Sequence, residues 1–232
     1  MNIKKIKYRL KNISFIGKTY EKFIGSKKVK KIENERRKSL KNDGLKNIAI
    51  IESALSESGV RFFLDFGSLL GIIRDRKFME WDSDIDYAVY INDEFTWDKL
   101  EEILKGCGMK KLKQFRYNDE ITEQTYINGK LTIDFFNHTE DEKNSYTYVY
   151  FNKKGIKYKN DNEYSVSKLC MYKVKGIKII NINETDIHIP DEPEKYLASI
   201  YTDGWKIPNP NWVAEKGPSW NEIENAIAYL EH

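Results

Sequence analysis

The feature that most restricts what this chain can fold into is a set of aspartates set in strand-like segments. Asp84-Ile85-Asp86 opens the run DIDYAVYI (84–91), and Asp134 lies in LTIDFF (131–136) between Ile133 and Phe135. Strand side chains alternate between faces, so Asp84 and Asp86 project together while Ile85 points into the core. Neighbouring carboxylates repel each other unless a cation sits between them, which suits a hard, oxygen-preferring divalent ion such as Mg²⁺, with Mn²⁺ as its substitute. Burying Asp134 among Ile133, Phe135 and Phe136 without counter-charge would cost several kcal/mol. It is therefore expected either to complete the metal site or to stand where an acceptor hydroxyl loses its proton.

Gly67-Ser68 is separated from Asp84 by fifteen residues, and follows the β-rich run VRFFLDF (60–66) and precedes Leu69, Leu70, Ile72 and Ile73. The unit reads as strand, glycine turn and helix, a turn at which backbone can approach a phosphate and helix-start amides face it. An acidic pair alone is common at exposed strand ends. The specific signal is the combination of the turn, the spaced pair and the third aspartate between apolar neighbours.

Around this unit, Leu45, Ile48, Ile51 and Leu55 recur at helical spacing up to Gly59, and residues 95–104 read as another helix. Residues 112–117, 123–127, 131–136 and 146–151 read as strands, with the turn pair Asn128-Gly129 between two of them. Residues 158–183 leave strand and helix both open, 192–201 reads helical, and 219–230 reads as a capped terminal helix. The expected class is α+β, a mixed sheet flanked by helices, with a basic N-terminal arm and a C-terminal helical and β extension.

A length of 232 residues allows one sizeable domain, and 32% charged against 40% hydrophobic residues is a soluble globular balance. Cys107 and Cys170 have no partner spacing for a disulfide framework or a zinc site. No apolar run approaches the roughly 20 residues that span a bilayer, which predicts a cytoplasmic protein. Residues 1–44 hold fifteen Lys/Arg against four Asp/Glu, a net charge of +11, so the remainder carries −8. Such an arm fits an anionic surface, lipid or nucleic acid, or else is a solvated leader. The organisation expected is an arm (1–44), a catalytic core (45–140) and a C-terminal part of the same domain on the acceptor side (141–232).

The block GSLLGIIRDRKFMEWDSDIDYAVYI, Gly67 to Ile91, resembles the signature of the LicD and fukutin-related phosphotransferase family, where G-T-L-L-G and an arginine precede W-D-D-D-I-D. LTIDFFN resembles that family's third-aspartate strand, and IPDEPEKYLASIYTDGWKIPNP its closing element, so the likeness spans residues 45–212. It implies a nucleotidyltransferase-like fold and a Mg²⁺-dependent phosphotransferase. Such an enzyme moves phosphocholine or an alditol phosphate from a CDP-linked donor to a hydroxyl of a cell-surface glycan such as lipopolysaccharide, teichoic acid or capsule. Carried over residue by residue, Asp82, Asp84, Asp86 and Asp134 are the metal carboxylates, and the last three are catalytic. Gly67, Ser68 and Arg74 face the donor, and Arg76 and Lys77, in a stretch that departs from the family's His-Gly-Gly-like one, offer charge to its pyrophosphate. Ser83 replaces a usual aspartate, its side chain expected away from the metal face, and Glu80 replaces a proline.

The resemblance also implies a lipid-linked acceptor at the inner face of the membrane. The arm would hold the enzyme there, and no nucleic acid is expected. Rival readings are a nucleotidyltransferase that transfers a nucleoside monophosphate, a metal-dependent glycosyltransferase, and a non-catalytic nucleic-acid-binding module. Arg74 has a surface ion pair as its alternative, Trp81 a packing role, and His138 lacks metal-ligand spacing. Tyr146, Tyr148 and Tyr150 alternate along one strand, as a packing layer or part of a cage for a quaternary ammonium.

Overall fold

The computed structural model describes residues 26–232, so most of the expected basic arm lies outside the described residues. Helix α1 (Ser26–Ser56) continues through position 44 into the helix expected from Leu45. Its inward stripe is Leu40, Ile48, Ile51 and Leu55, all at most 1% exposed, at spacings that keep one face towards the sheet. Burying each of them contributes about 1.5–3 kcal/mol. Gly44 belongs to the same stripe because a Cβ there would stand 2.4 Å from the Phe78 ring.

The strands are β1 (Phe62–Leu64), β2 (Asp84–Val89), β3 (Lys110–Tyr117), β4 (Glu120–Asn128), β5 (Leu131–Asn137) and β6 (Thr139–Glu140). They continue with β7 (Asn144–Phe151), β8 (Glu163–Tyr172), β9 (Ile177–Ile182), β10 (Thr185–Pro190) and β11 (Trp220–Glu231). Nine of them form one sheet in the order β1-β2-β5-β4-β3-β11-β8-β7-β6, while β9 and β10 pair as a separate hairpin. β2 and β5 run parallel and their outer neighbours β1 and β4 antiparallel, so the sheet is mixed. Helices α2 (Phe66–Asp75), α3 (Trp97–Gly106) and α4 (Pro193–Tyr201) join α1 in flanking it, which is the expected α+β class.

One open segment is resolved and one sequence expectation is corrected. Residues 158–183 resolve into β8 and β9. Residues 219–230 are not a helix: β11 is inserted between β3 and β8. The register of β11 on β8 shifts between Ile223 and Ile227, where Asn225 takes a φ of 60°. A bulge, not a helical turn, spaces the two isoleucines, and pairing on both edges outweighs local propensity.

A buried polar knot ties α1 to the sheet and to the β9–β10 hairpin. Glu52 accepts from the Tyr87 hydroxyl at 3.2 Å and from the His188 backbone N–H at 3.3 Å, and its Oε2 lies 2.6 Å from His188 Nδ1. Burial pushes the Glu52 carboxyl above its ordinary 4.5, with the bonds from His188 and Tyr87 opposing. Native Glu52 therefore holds its proton to higher pH than the unfolded chain, and stability falls as pH rises from 4.5 through the raised value. Glu52→Gln should flatten that slope in unfolding free energy against pH, and an unaltered slope would contradict the assignment. Packing is tested at Gly71, where a Cβ would meet the Lys77 carbonyl at 2.7 Å and the Met79 nitrogen at 3.1 Å. Because both neighbours are backbone, Gly71→Ala should lower the unfolding free energy by about 1–3 kcal/mol in chemical denaturation, despite alanine's helix propensity.

Candidate active site

The parallel register of β2 and β5 sets Asp86 beside Asp134 and Asp84 beside Thr132. On the other edge of β5, β4 sets Thr125 beside Asp134, and the Thr125 hydroxyl donates to Asp134 Oδ1 at 2.5 Å. Asp134 is buried, and Asp84 and Asp86 are half-buried. One carboxylate oxygen from each of the three lies within 4.8 Å of the others. Oxygens sharing an ion at about 2.1 Å stand at most about 4.2 Å apart, so a rotamer-scale adjustment lets this set hold a Mg²⁺-sized cation. Hard, anionic oxygens are the matching donor type, and three carboxylates this close are costly without a cation.

Asp82 falls outside this trio. Its carboxylate lies against the start of α2, where a Cβ on Gly67 would be 3.0 Å from each Asp82 oxygen. Glycine at 67 is what admits the carboxylate to the helix N-terminus. Burial, and then the charge of Asp84, raise the Asp82 carboxyl to about 8, against the pull of Arg37 and Arg74.

The expected Gly67-Ser68 turn is instead the first turn of α2, which begins at Phe66. The bend falls one residue earlier. Asp65 caps the helix, its Oδ1 accepting from the Phe66 N–H at 2.7 Å and from the Tyr196 hydroxyl at 2.9 Å. Phe66 has a φ of 43°, a left-handed conformation that is strained for an aromatic residue. Ser68 is wholly buried. Its hydroxyl accepts from the Asp86 N–H at 3.1 Å and donates to the Asp84 carbonyl at 3.5 Å, fastening α2 to the strand of the acidic pair.

The basic residues expected at the donor are largely engaged elsewhere. Arg74 pairs with Asp75 at 2.7 Å and donates to the Trp205 carbonyl at 3.4 Å, with 7% of its side chain exposed. Arg76, left-handed at the end of α2, donates to the Asn181 carbonyl at 3.0 Å. Lys77 is exposed. Sequence reasoning missed Arg36 and Arg37 on α1. Burial lowers the Arg36 guanidinium while the neighbouring Asp84 carboxylate opposes that shift, and Arg37 acts on Asp82. Their signal was present, since they precede Leu40 by one helical turn. Tyr201 was also missed. Burial, followed by the charges of Asp82 and Asp86, holds its phenol well above the usual range.

His138 is buried away from the trio, with Nε2 2.9 Å from Asp65 Oδ2. Lys168 covers the Tyr146 ring at 3.5 Å and Tyr150 stacks on Phe115 at 4.5 Å, so the tyrosines of β7 are packed rather than forming an open cage.

A family model described as LicD/FKTN/FKRP, nucleotidyltransferase domain, matches residues 59–192, more than half of the chain. Ribitol-5-phosphate transferase FKTN from Macaca fascicularis is 27% identical over 175 residues, and that from Homo sapiens 26% over 175 residues. Each alignment covers 74% of this chain and 35% of the relative, so the chain spans about a third of the length of these curated relatives. The solution structure of the antibiotic-resistance factor ANT(2'')-Ia is similar at a TM-score of 0.42 and 14% identity, covering 74% of this chain and 77% of that one.

The geometry separates the four acidic positions. Asp84→Asn, Asp86→Asn and Asp134→Asn should each weaken Mn²⁺ binding by more than about tenfold, about 1.4 kcal/mol, in calorimetry of folded protein. Asp82→Asn should stay within about threefold of wild type. The opposite ranking would put Asp82 among the ligands.

Proposed function

The chain belongs to the LicD/FKTN/FKRP nucleotidyltransferase-domain family, and from that membership we propose that it transfers a phosphorylated small group from a CDP-linked donor to a glycan hydroxyl. The observation that carries this reading is the convergence of Asp84, Asp86 and Asp134 beside the first turn of α2. Two relatives named as ribitol-5-phosphate transferases favour an alditol phosphate over phosphocholine as the group moved. A divalent ion bound by the trio would supply charge neutralisation at the donor diphosphate.

The residues of the chain divide the remaining work. Asp84 and Asp86, side by side on a strand, provide the partly exposed oxygens that hold the donor end of the site. Asp134 has one oxygen fixed by Thr125 and stands ready to orient the acceptor hydroxyl and take its proton. The acceptor oxygen attacks the phosphorus nearer the transferred group. One P–O bond forms as the anhydride bond breaks, and CMP leaves. Catalysis of this kind rests on positioning and electrostatics rather than on a covalent protein intermediate.

We read residues 45–140 as the core holding the donor and 141–232 as its acceptor side. No described helix is long and apolar enough to cross a membrane. Excess positive charge in residues 1–44 supports attachment to an anionic leaflet, where each Lys or Arg contributes about 1 kcal/mol. A lipid-linked acceptor would then be within reach.

The deciding assay supplies CDP-ribitol, a glycan acceptor and Mg²⁺, and follows CMP together with the mass of the acceptor. The expected result is stoichiometric CMP and a gain of one ribitol phosphate, both lost in Asp134→Asn. Pyrophosphate released from CTP, with no CMP from CDP-ribitol, would replace this reading with nucleotidyl transfer.

A further inference from the structure

We propose that Arg36, on a helix outside the family-matched segment, binds the diphosphate of the nucleotide-linked donor at this centre, with Arg37 supporting it. The inference rests on the donor reading above and adds a side-chain cation to it. Arg74 is turned to Asp75 and Trp205, and Arg76 to Asn181. These contacts draw both side chains to protein partners, and of the three cations expected at the donor only Lys77 stays exposed, which leaves room for a cation from α1.

Helix α1 is pinned where such a cation is needed. Glu35 pairs with Lys130 at 3.2 Å, and the Asn128 side-chain amide donates to Asn47 Oδ1 at 2.9 Å. Both contacts fasten α1 across the β4–β5 turn, at the start of β5. The parallel register Asp84 to Thr132 makes that also the start of β2, where the acidic pair stands. Arg36 follows Glu35 and lies one turn before the buried Leu40, half-buried and within electrostatic reach of Asp84. Arg37 is held by Glu33 at 2.5 Å, and its Nε is buried without a hydrogen-bond partner among the described residues.

Charge decides between two roles for Arg36. In the first it is a counter-ion for Asp84, competing with the metal. In the second it is an anion clamp. Three carboxylates and a divalent ion leave a formal charge of minus one, to which a diphosphate linkage adds about minus two. A guanidinium beside Asp84 gains little from that centre with metal alone and much more once the diphosphate is present, which it can grip with two parallel N–H bonds. The nucleotide therefore separates the two roles: only the clamp predicts weaker binding of a diphosphate when Arg36 is lost.

The test uses the full chain and two probes, Mn²⁺ alone and CDP at saturating Mn²⁺, each followed by calorimetry. Arg36→Gln should bind Mn²⁺ as tightly as wild type or more so, and CDP about tenfold more weakly. Arg36→Lys, which keeps the charge and most of the packing but loses the paired donors, should fall between. It also carries the test if the glutamine variant does not fold. Wild-type affinity for CDP in the folded variant, whatever happens to Mn²⁺, overturns the inference and leaves the donor reading standing. Failure of the wild-type protein to bind CDP with Mn²⁺ overturns both.

Discussion

Like charges do not gather unaided, and the packing around this centre follows from making them do so. The register of β2 against β5 puts Asp86 beside Asp134, and backbone ladders, not the side chains, supply the energy that holds them there. Three fastenings keep that register in place. Ser68 ties α2 to β2, Thr125 holds Asp134 from the far side, and the Asp65 N–H donates to the Asp86 carbonyl at 2.8 Å. Asp65 also accepts from the Tyr196 hydroxyl of α4. The elbow at Phe66 is strained, and it is the capped helix start beyond it that brings Gly67 against the Asp82 carboxylate.

Much of this was legible in the residues. Alternation placed Asp84 and Asp86 on one face, and the apolar neighbours of Asp134 marked it as a buried acid in need of a partner. Most of the strands were visible from β-branched and aromatic runs. What sequence could not show were relations set by distant pairing. Asp82 is two residues from Asp84, but the strand begins only at Asp84, so alternation does not carry it into the trio. Thr125 becomes a partner of Asp134 only through the β4–β5 register. β11 was read as a capped helix from its own residues, whereas pairing with β3 and β8, both remote in sequence, makes it a strand.

The working unit is larger than the segment shared with the family. Residues 59–192 contain the aspartates, but α1, α4 and β11 lie outside them. The first brings Arg36 to the acidic pair, the second supplies Tyr196 to the helix cap, and the third joins two halves of the sheet. A change in any of these elements reaches the centre through contacts that the shared segment does not contain.

The insertion of β11 between β3 and β8 also bears on how the chain reaches this state. Neither β3 nor β8 pairs with the other, so the backbone ladder joins the two parts of the sheet only through a strand whose partners are remote, as with Arg116 and Glu231, 115 positions apart. Closing such a span costs chain entropy before any contact repays it, which places the topology among the slower-folding classes. Until β11 docks, β3 and β8 both present open edges, so the species at risk of wrong association during folding is a half-sheet with its seam unfilled.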